Sequence, residues 1–88
     1  MTRNVCFNPD AWEQYVWWQD QDRRTLQKIN RLIKAAQRDP ENGEGQPEQL
    51  SADFADTWSR RIDRQNRFVY WFTDGFIEII QVRGHYDD

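Results

Sequence analysis

Four kinds of side chain in this 88-residue sequence could do acid–base and anion chemistry together. Glu48 stands in "PENGEGQPEQ" (40–49), ahead of a segment rich in β-branched and aromatic residues. Arg60, Arg61, Arg64 and Arg67 crowd eight positions. Arg83, His85 and Tyr86 lie together in "VRGHYDD", and His85 is the sole histidine. A carboxylate, several guanidiniums, an imidazole and a phenol would suit metal-free cleavage of RNA. One group takes the proton from a ribose 2′-hydroxyl, and another protonates the departing 5′-oxygen. Fixed cations hold the charge that grows on the phosphorus oxygens.

Each residue also has a plainer reading. Glu48 is one of several acids in a polar stretch and would be solvated there. The arginines would serve as edge-strand charges that block sheet-to-sheet association. A histidine near a terminus decorates a surface, and Tyr86 would pack. Residue by residue, both readings stand.

Composition narrows the setting. Five Trp, three Tyr and five Phe supply a core for a single small domain spanning 1–88. Cys6 is the lone cysteine, so no intrachain disulfide or Cys/His zinc set can form, and a small buried strand residue is expected there. No cofactor or metal is expected. The sequence has no signal peptide pattern and no long apolar run, which reads as cytoplasmic with no membrane contact. Net charge is −3, but it is segregated. Residues 22–38 carry six basic side chains and one acid, whereas 39–56 carry six acids and no base. A local basic surface therefore remains possible on an acidic protein.

The elements that must position the candidates follow from periodicity. "NVCF" (4–7) reads as a strand. Asn8 and Pro9 suit an N-cap and a first helical position, with Trp12, Tyr15 and Val16 following at helical spacing. After Asp20 or Asp22 as the next cap, Leu26, Ile29, Leu32, Ile33 and Ala36 form the stripe of a second amphipathic helix. Residues 40–49 read as a loop. Strands are predicted over 57–63, 67–74 and 76–86, with Asp74-Gly75 as a hairpin turn. The predicted fold class is α+β: a strand, a helical hairpin, then an antiparallel β-meander. Strand alternation puts Arg61 with Ser59 and Asp63, Arg67 with Val69 and Trp71, and His85 with Arg83 and Gln81.

Five segments in order resemble the Txe/YoeB family of bacterial type II toxin–antitoxin toxins, relatives of the RelE ribonucleases. They are "WEQYVWWQDQDRRTLQKINRLIKAAQRDP" (12–40), "GEGQPEQL" (43–50), "WSRRI" (58–62), "RFVY" (67–70) and "RGHY" (83–86). The resemblance implies a RelE-like microbial ribonuclease fold. It also implies a ribosome-dependent endoribonuclease that cuts mRNA in the A site of the 70S ribosome by 2′-hydroxyl attack. Carried over by position, Glu48 matches the general base, His85 the general acid, Arg67 the main phosphate-stabilising residue, Arg61 a second cation and Tyr86 a substrate-orienting phenol. Arg24, Lys28, Arg31, Arg60 and Arg83 are expected to contact ribosomal RNA or the message. The implied partners are a cognate YefM/Axe-like antitoxin, a second copy of the toxin in a homodimer, and operator DNA only through the antitoxin complex.

Three departures from the family pattern matter. Ser51 stands where a lysine is usual, and Glu44 and Gln46 replace nearby cations. The whole chain is acidic, which would weaken phosphate contacts and flatten their salt dependence. Asp87 and Asp88 follow Tyr86 and are expected to favour the charged form of His85. An alternative follows: a weakened homologue that acts mainly as antitoxin partner and co-repressor. A free RNA-binding domain fits less well, because its aromatics would need surrounding positive charge.

Overall fold

The helical hairpin is set by two side-chain caps. Asn8 Oδ1 accepts from the Ala11 amide at 2.8 Å, and Pro9 opens α1 (Pro9–Gln19). Asp22, rather than Asp20, caps α2 (Arg23–Arg38), accepting from the Arg24 and Thr25 amides at 3.0 and 3.3 Å. The computed structural model describes residues 2–50 and 56–85. Around the helices run β1 (Asn4–Phe7), β2 (Glu48–Gln49), β3 (Thr57–Arg61), β4 (Arg67–Phe72) and β5 (Phe76–Gln81).

The five strands form one sheet in the order β1-β5-β4-β3-β2. β2–β3, β3–β4 and β4–β5 are antiparallel, as the meander requires. β1 instead pairs parallel with β5, Val5 opposite Ile77, so the sheet is mixed rather than wholly antiparallel. A parallel pair needs a long crossover, and here the helices and the meander supply it. The predicted loop 40–49 also contains a strand: Glu48 and Gln49 pair with Ser59 and Trp58.

Both helices pack on one sheet face. Ala11, Trp18, Ile29, Leu32, Ile33 and Ala36 meet Phe68, Tyr70, Ile77, Ile79 and Val82. Alternation explains the outward residues. Val5 and Phe7 lean on the core, whereas Cys6 points away and is exposed, not buried as its type suggested. Trp12 also remains half exposed, at 51%, with its ring stacked on Tyr15. At the hairpin after β4, Thr73 does the organising: its amide donates to the Phe76 carbonyl, and its hydroxyl accepts from the Gly75 amide. Asp74 and Gly75 thus form the predicted hairpin turn between β4 and β5, without a left-handed φ at Gly75.

The cap at Asp22 has a consequence for acid stability. The Thr25 hydroxyl, then the Thr25 amide, hold its carboxyl below the ordinary value of 3.8. Asp39 is lowered too, first by the Glu41 amide and then by Asn42. A group lowered by folding contributes stability above its unfolded value and loses it as pH falls through the folded one. Stability is therefore expected to drop as the solution is acidified below about pH 4. Asp22→Asn keeps a capping oxygen without the charge, so its urea midpoint should fall less between about pH 5 and pH 2. Parallel curves for the two proteins would contradict this.

Candidate active site

The register of three strands gathers the polar candidates on the sheet face away from the helices. Glu48 lies opposite Ser59, Ser59 opposite Val69, and Arg61 opposite Arg67. Arg67 Nη1 approaches Glu48 Oε1 at 3.5 Å and Ser59 Oγ at 3.4 Å. Arg67 is half-buried and Glu48 is exposed, so the carboxylate stands at the mouth and the guanidinium beneath it. Arg61 is exposed and faces Arg67 across the strand pair. Like charges directly opposite one another cost stability. A site that concentrates them beside a single carboxylate is suited to an anion.

The segment after β5 completes the geometry. β5 ends at Gln81, short of the predicted 86, so alternation does not carry on to His85. Val82 is fixed instead by α1: Trp18 Nε1 donates to its carbonyl at 2.9 Å, and its amide donates to Gln14 Oε1 at 2.8 Å. Gly84 then takes φ +93°, a left-handed conformation that suits glycine. Its carbonyl accepts from the Arg67 amide at 2.9 Å and from Gln81 Nε2 at 2.8 Å. Its amide donates to Asn66 Oδ1 at 2.8 Å, and Asn66 is held by Asp63. His85 therefore leaves the chain directly beside the backbone of Arg67, with its side chain exposed. Tyr86, Asp87, Asp88 and Ser51 lie outside the described residues.

The remaining candidates separate. Arg24, Lys28 and Arg31 line a groove of about 300 Å³ that reaches the β3–β4 turn at Ile62 and Asp63. Arg31 is also paired to Glu44 at 3.1 Å, so the acidic loop partly neutralises that face. Arg83 folds back and lays its guanidinium 3.6 Å over the Trp17 ring. Arg60 departs most from expectation. Its side chain is fully buried on the helix side, so it cannot reach RNA as predicted. Ser59, Asn66 and Gln81 are position-setting residues that sequence reasoning missed; the "DRQN" turn before Arg67 was the one available signal. Among the described residues, no three His, Cys, Asp or Glu side chains converge as metal ligands.

Comparison with known proteins agrees with this arrangement. A family model described as "YoeB-like toxin of bacterial type II toxin-antitoxin system" matches residues 7–86. Toxin YoeB of Streptomyces coelicolor is 46% identical over 93% of this chain and 98% of its own. The YoeB dimer from Staphylococcus aureus superposes with a TM-score of 0.90 at 36% identity, covering 98% of this chain and 100% of that one. The heterotetrameric YoeB–YefM toxin–antitoxin complex from the same organism gives 0.86, with the same identity and coverage. The mixed five-stranded sheet, the two capped helices and this near-complete match together make the chain a member of the YoeB-like toxin family of bacterial type II toxin–antitoxin systems.

Proposed function

We propose that this protein is a ribosome-dependent endoribonuclease that cuts mRNA in the A site and thereby stops translation. The observation that carries the reading is the opposed pair Arg61 and Arg67, with Glu48 at its edge and His85 delivered beside the Arg67 backbone. In this reaction Glu48 takes the proton of the ribose 2′-hydroxyl. The freed oxygen attacks the adjacent phosphorus, and the bond to the 5′-oxygen breaks. His85 gives its proton to that leaving oxygen. The products are a 2′,3′-cyclic phosphate and a 5′-hydroxyl, and no atom is left unbalanced. Arg67 and Arg61 hold the phosphorus oxygens as charge builds, and Tyr86 orients the substrate. An arriving phosphate competes for Arg67 and releases Glu48 to act.

Arg24, Lys28 and Arg31, which line one groove, form the face for ribosomal RNA; Arg83, whose guanidinium lies over Trp17, is a further contact for RNA. A YefM-like antitoxin as partner is supported by the Staphylococcus aureus complex; operator DNA is bound only through such a complex. A homodimer follows from the dimeric relative, and the exposed Trp12 and Val16 on α1 support self-association. The test is primer extension on mRNA with and without programmed ribosomes. Cuts within A-site codons, only when ribosomes are present, are the expected result. The second reading, a weakened toxin that serves as antitoxin partner and co-repressor, is favoured by the Arg31–Glu44 pair. Absence of cuts together with antitoxin-dependent operator binding would establish that reading instead.

A further inference from the structure

Arg60 is the largest fully buried side chain in the described structure, and it has no carboxylate at ion-pair distance among the described residues. Its guanidinium donates to neutral oxygens instead. Nε reaches the Tyr70 hydroxyl at 3.0 Å, and Nη1 reaches the Glu44 carbonyl at 2.9 Å. Nη2 reaches the carbonyls of Asp39 and Asn42 at 2.6 and 2.8 Å. The Tyr70 hydroxyl donates in turn to the Pro40 carbonyl. An apolar residue of similar volume would fill this space at lower desolvation cost. What the guanidinium adds is a rigid planar fork that holds several oxygens in fixed relation.

All four carbonyls belong to one loop, and that loop ends at Glu48. Residues 40–49 contain no large apolar side chain, so the loop cannot be anchored by burying one. Beyond the last clamped carbonyl, at Glu44, little freedom remains. The Gly45 carbonyl accepts from the Arg61 amide at 2.6 Å. Gln46 sits at φ +54°, and the ring of Pro47 fixes its own φ. Glu48 then enters its pairing with Ser59. We infer that Arg60 is a positioning residue: through the loop carbonyls it sets where the Glu48 carboxylate stands relative to Arg67, without touching substrate itself. The inference rests on the proposed role of Glu48 as base.

A double-mutant cycle distinguishes this from a merely stabilising role. Single-turnover cleavage on programmed ribosomes is measured for wild type, Arg60→Lys, Glu48→Gln and the double variant. Arg60→Lys keeps the charge but loses the fork. It is expected to lower the cleavage rate about 100-fold, as displacement of a reacting group can, while ribosome affinity stays within about twofold of wild type. In the Glu48→Gln background the same change should cost almost nothing, because the group it positions is already gone. Equal losses in both backgrounds, or no loss in either, would overturn the inference. Tyr70→Phe removes a single oxygen from the same network and runs in parallel, so a misfolded Arg60→Lys protein does not end the test. Its expected loss is about tenfold, absent when Glu48 is replaced. A wild type that cuts nothing overturns the proposed function and this inference with it. A wild type that cuts, with additive losses in the cycle, overturns the inference alone.

Discussion

Replacing His85 with alanine is expected to slow cleavage of A-site mRNA by about 10²–10⁴-fold, the usual contribution of a positioned general acid. The loss should fall on the chemical step rather than on binding. The imidazole is exposed and contributes nothing to the buried core. The contacts that fix this segment are made by neighbouring main chain. Trp18 and Gln14 hold Val82, and the Gly84 peptide is held by Arg67, Gln81 and Asn66. Truncation leaves all of them in place, so the melting temperature should scarcely move. Cells expressing the variant should grow, and antitoxin binding should be intact. Arg67→Ala is a less clean experiment, because it also removes the contacts to Glu48 and Ser59. A His85→Ala protein that stays fully toxic and still cuts would show that another group supplies the proton.

Gly45→Ala is expected to cost about 3 kcal/mol of stability, from a strained left-handed backbone and an overfilled contact together. Gly45 has φ +92°. A methyl there would meet Leu32 Cδ2 at 2.8 Å, Arg60 Cβ at 3.1 Å and the Arg61 carbonyl at 3.3 Å. Leu32 is fully buried on α2, and Arg61 is main chain of the central meander, so neither yields easily. The change should also lower cleavage, since the shifted segment leads into Glu48 three residues later. Gly75→Ala is the control: its added methyl has Thr73 Oγ1 as nearest contact at 4.0 Å and no positive φ. Urea midpoints of the three proteins decide the matter. Equal midpoints would mean that the loop moves away at no cost.

Much of this arrangement was legible in the sequence because it rests on local rules. Caps at Asn8 and Asp22, the apolar stripe from Leu26 to Ala36 and the β-rich run that opens at Arg67 each follow from patterns within one element. The grouping of Glu48, Arg61 and Arg67 was readable as a set of types, and register then brought them to one face. Parallel pairing of β1 with β5 was not readable, since it joins residues about seventy positions apart with no local signature. The short β2 was hidden by the glycines and prolines around it. Cys6 and Arg60 were misjudged by residue type where alternation would have served better. Cys6 shares its side of β1 with exposed Asn4, and Arg60 stands between Trp58 and Ile62, both of which turn inward. The exit of β5 was missed because a left-handed glycine, not a strand, presents His85.

The place of β5 in the sheet bears on how such a protein is made. It lies between β1 and β4, yet among the described strands it comes last in the sequence. Until Phe76–Gln81 is available, β1 has no neighbour in the sheet, and the Trp18 and Arg67 contacts to Val82 and Gly84 cannot form. A growing chain of this topology holds its first strand in waiting while the rest is translated. The Gly84 contact that sets His85 beside Arg67 is among the last to form.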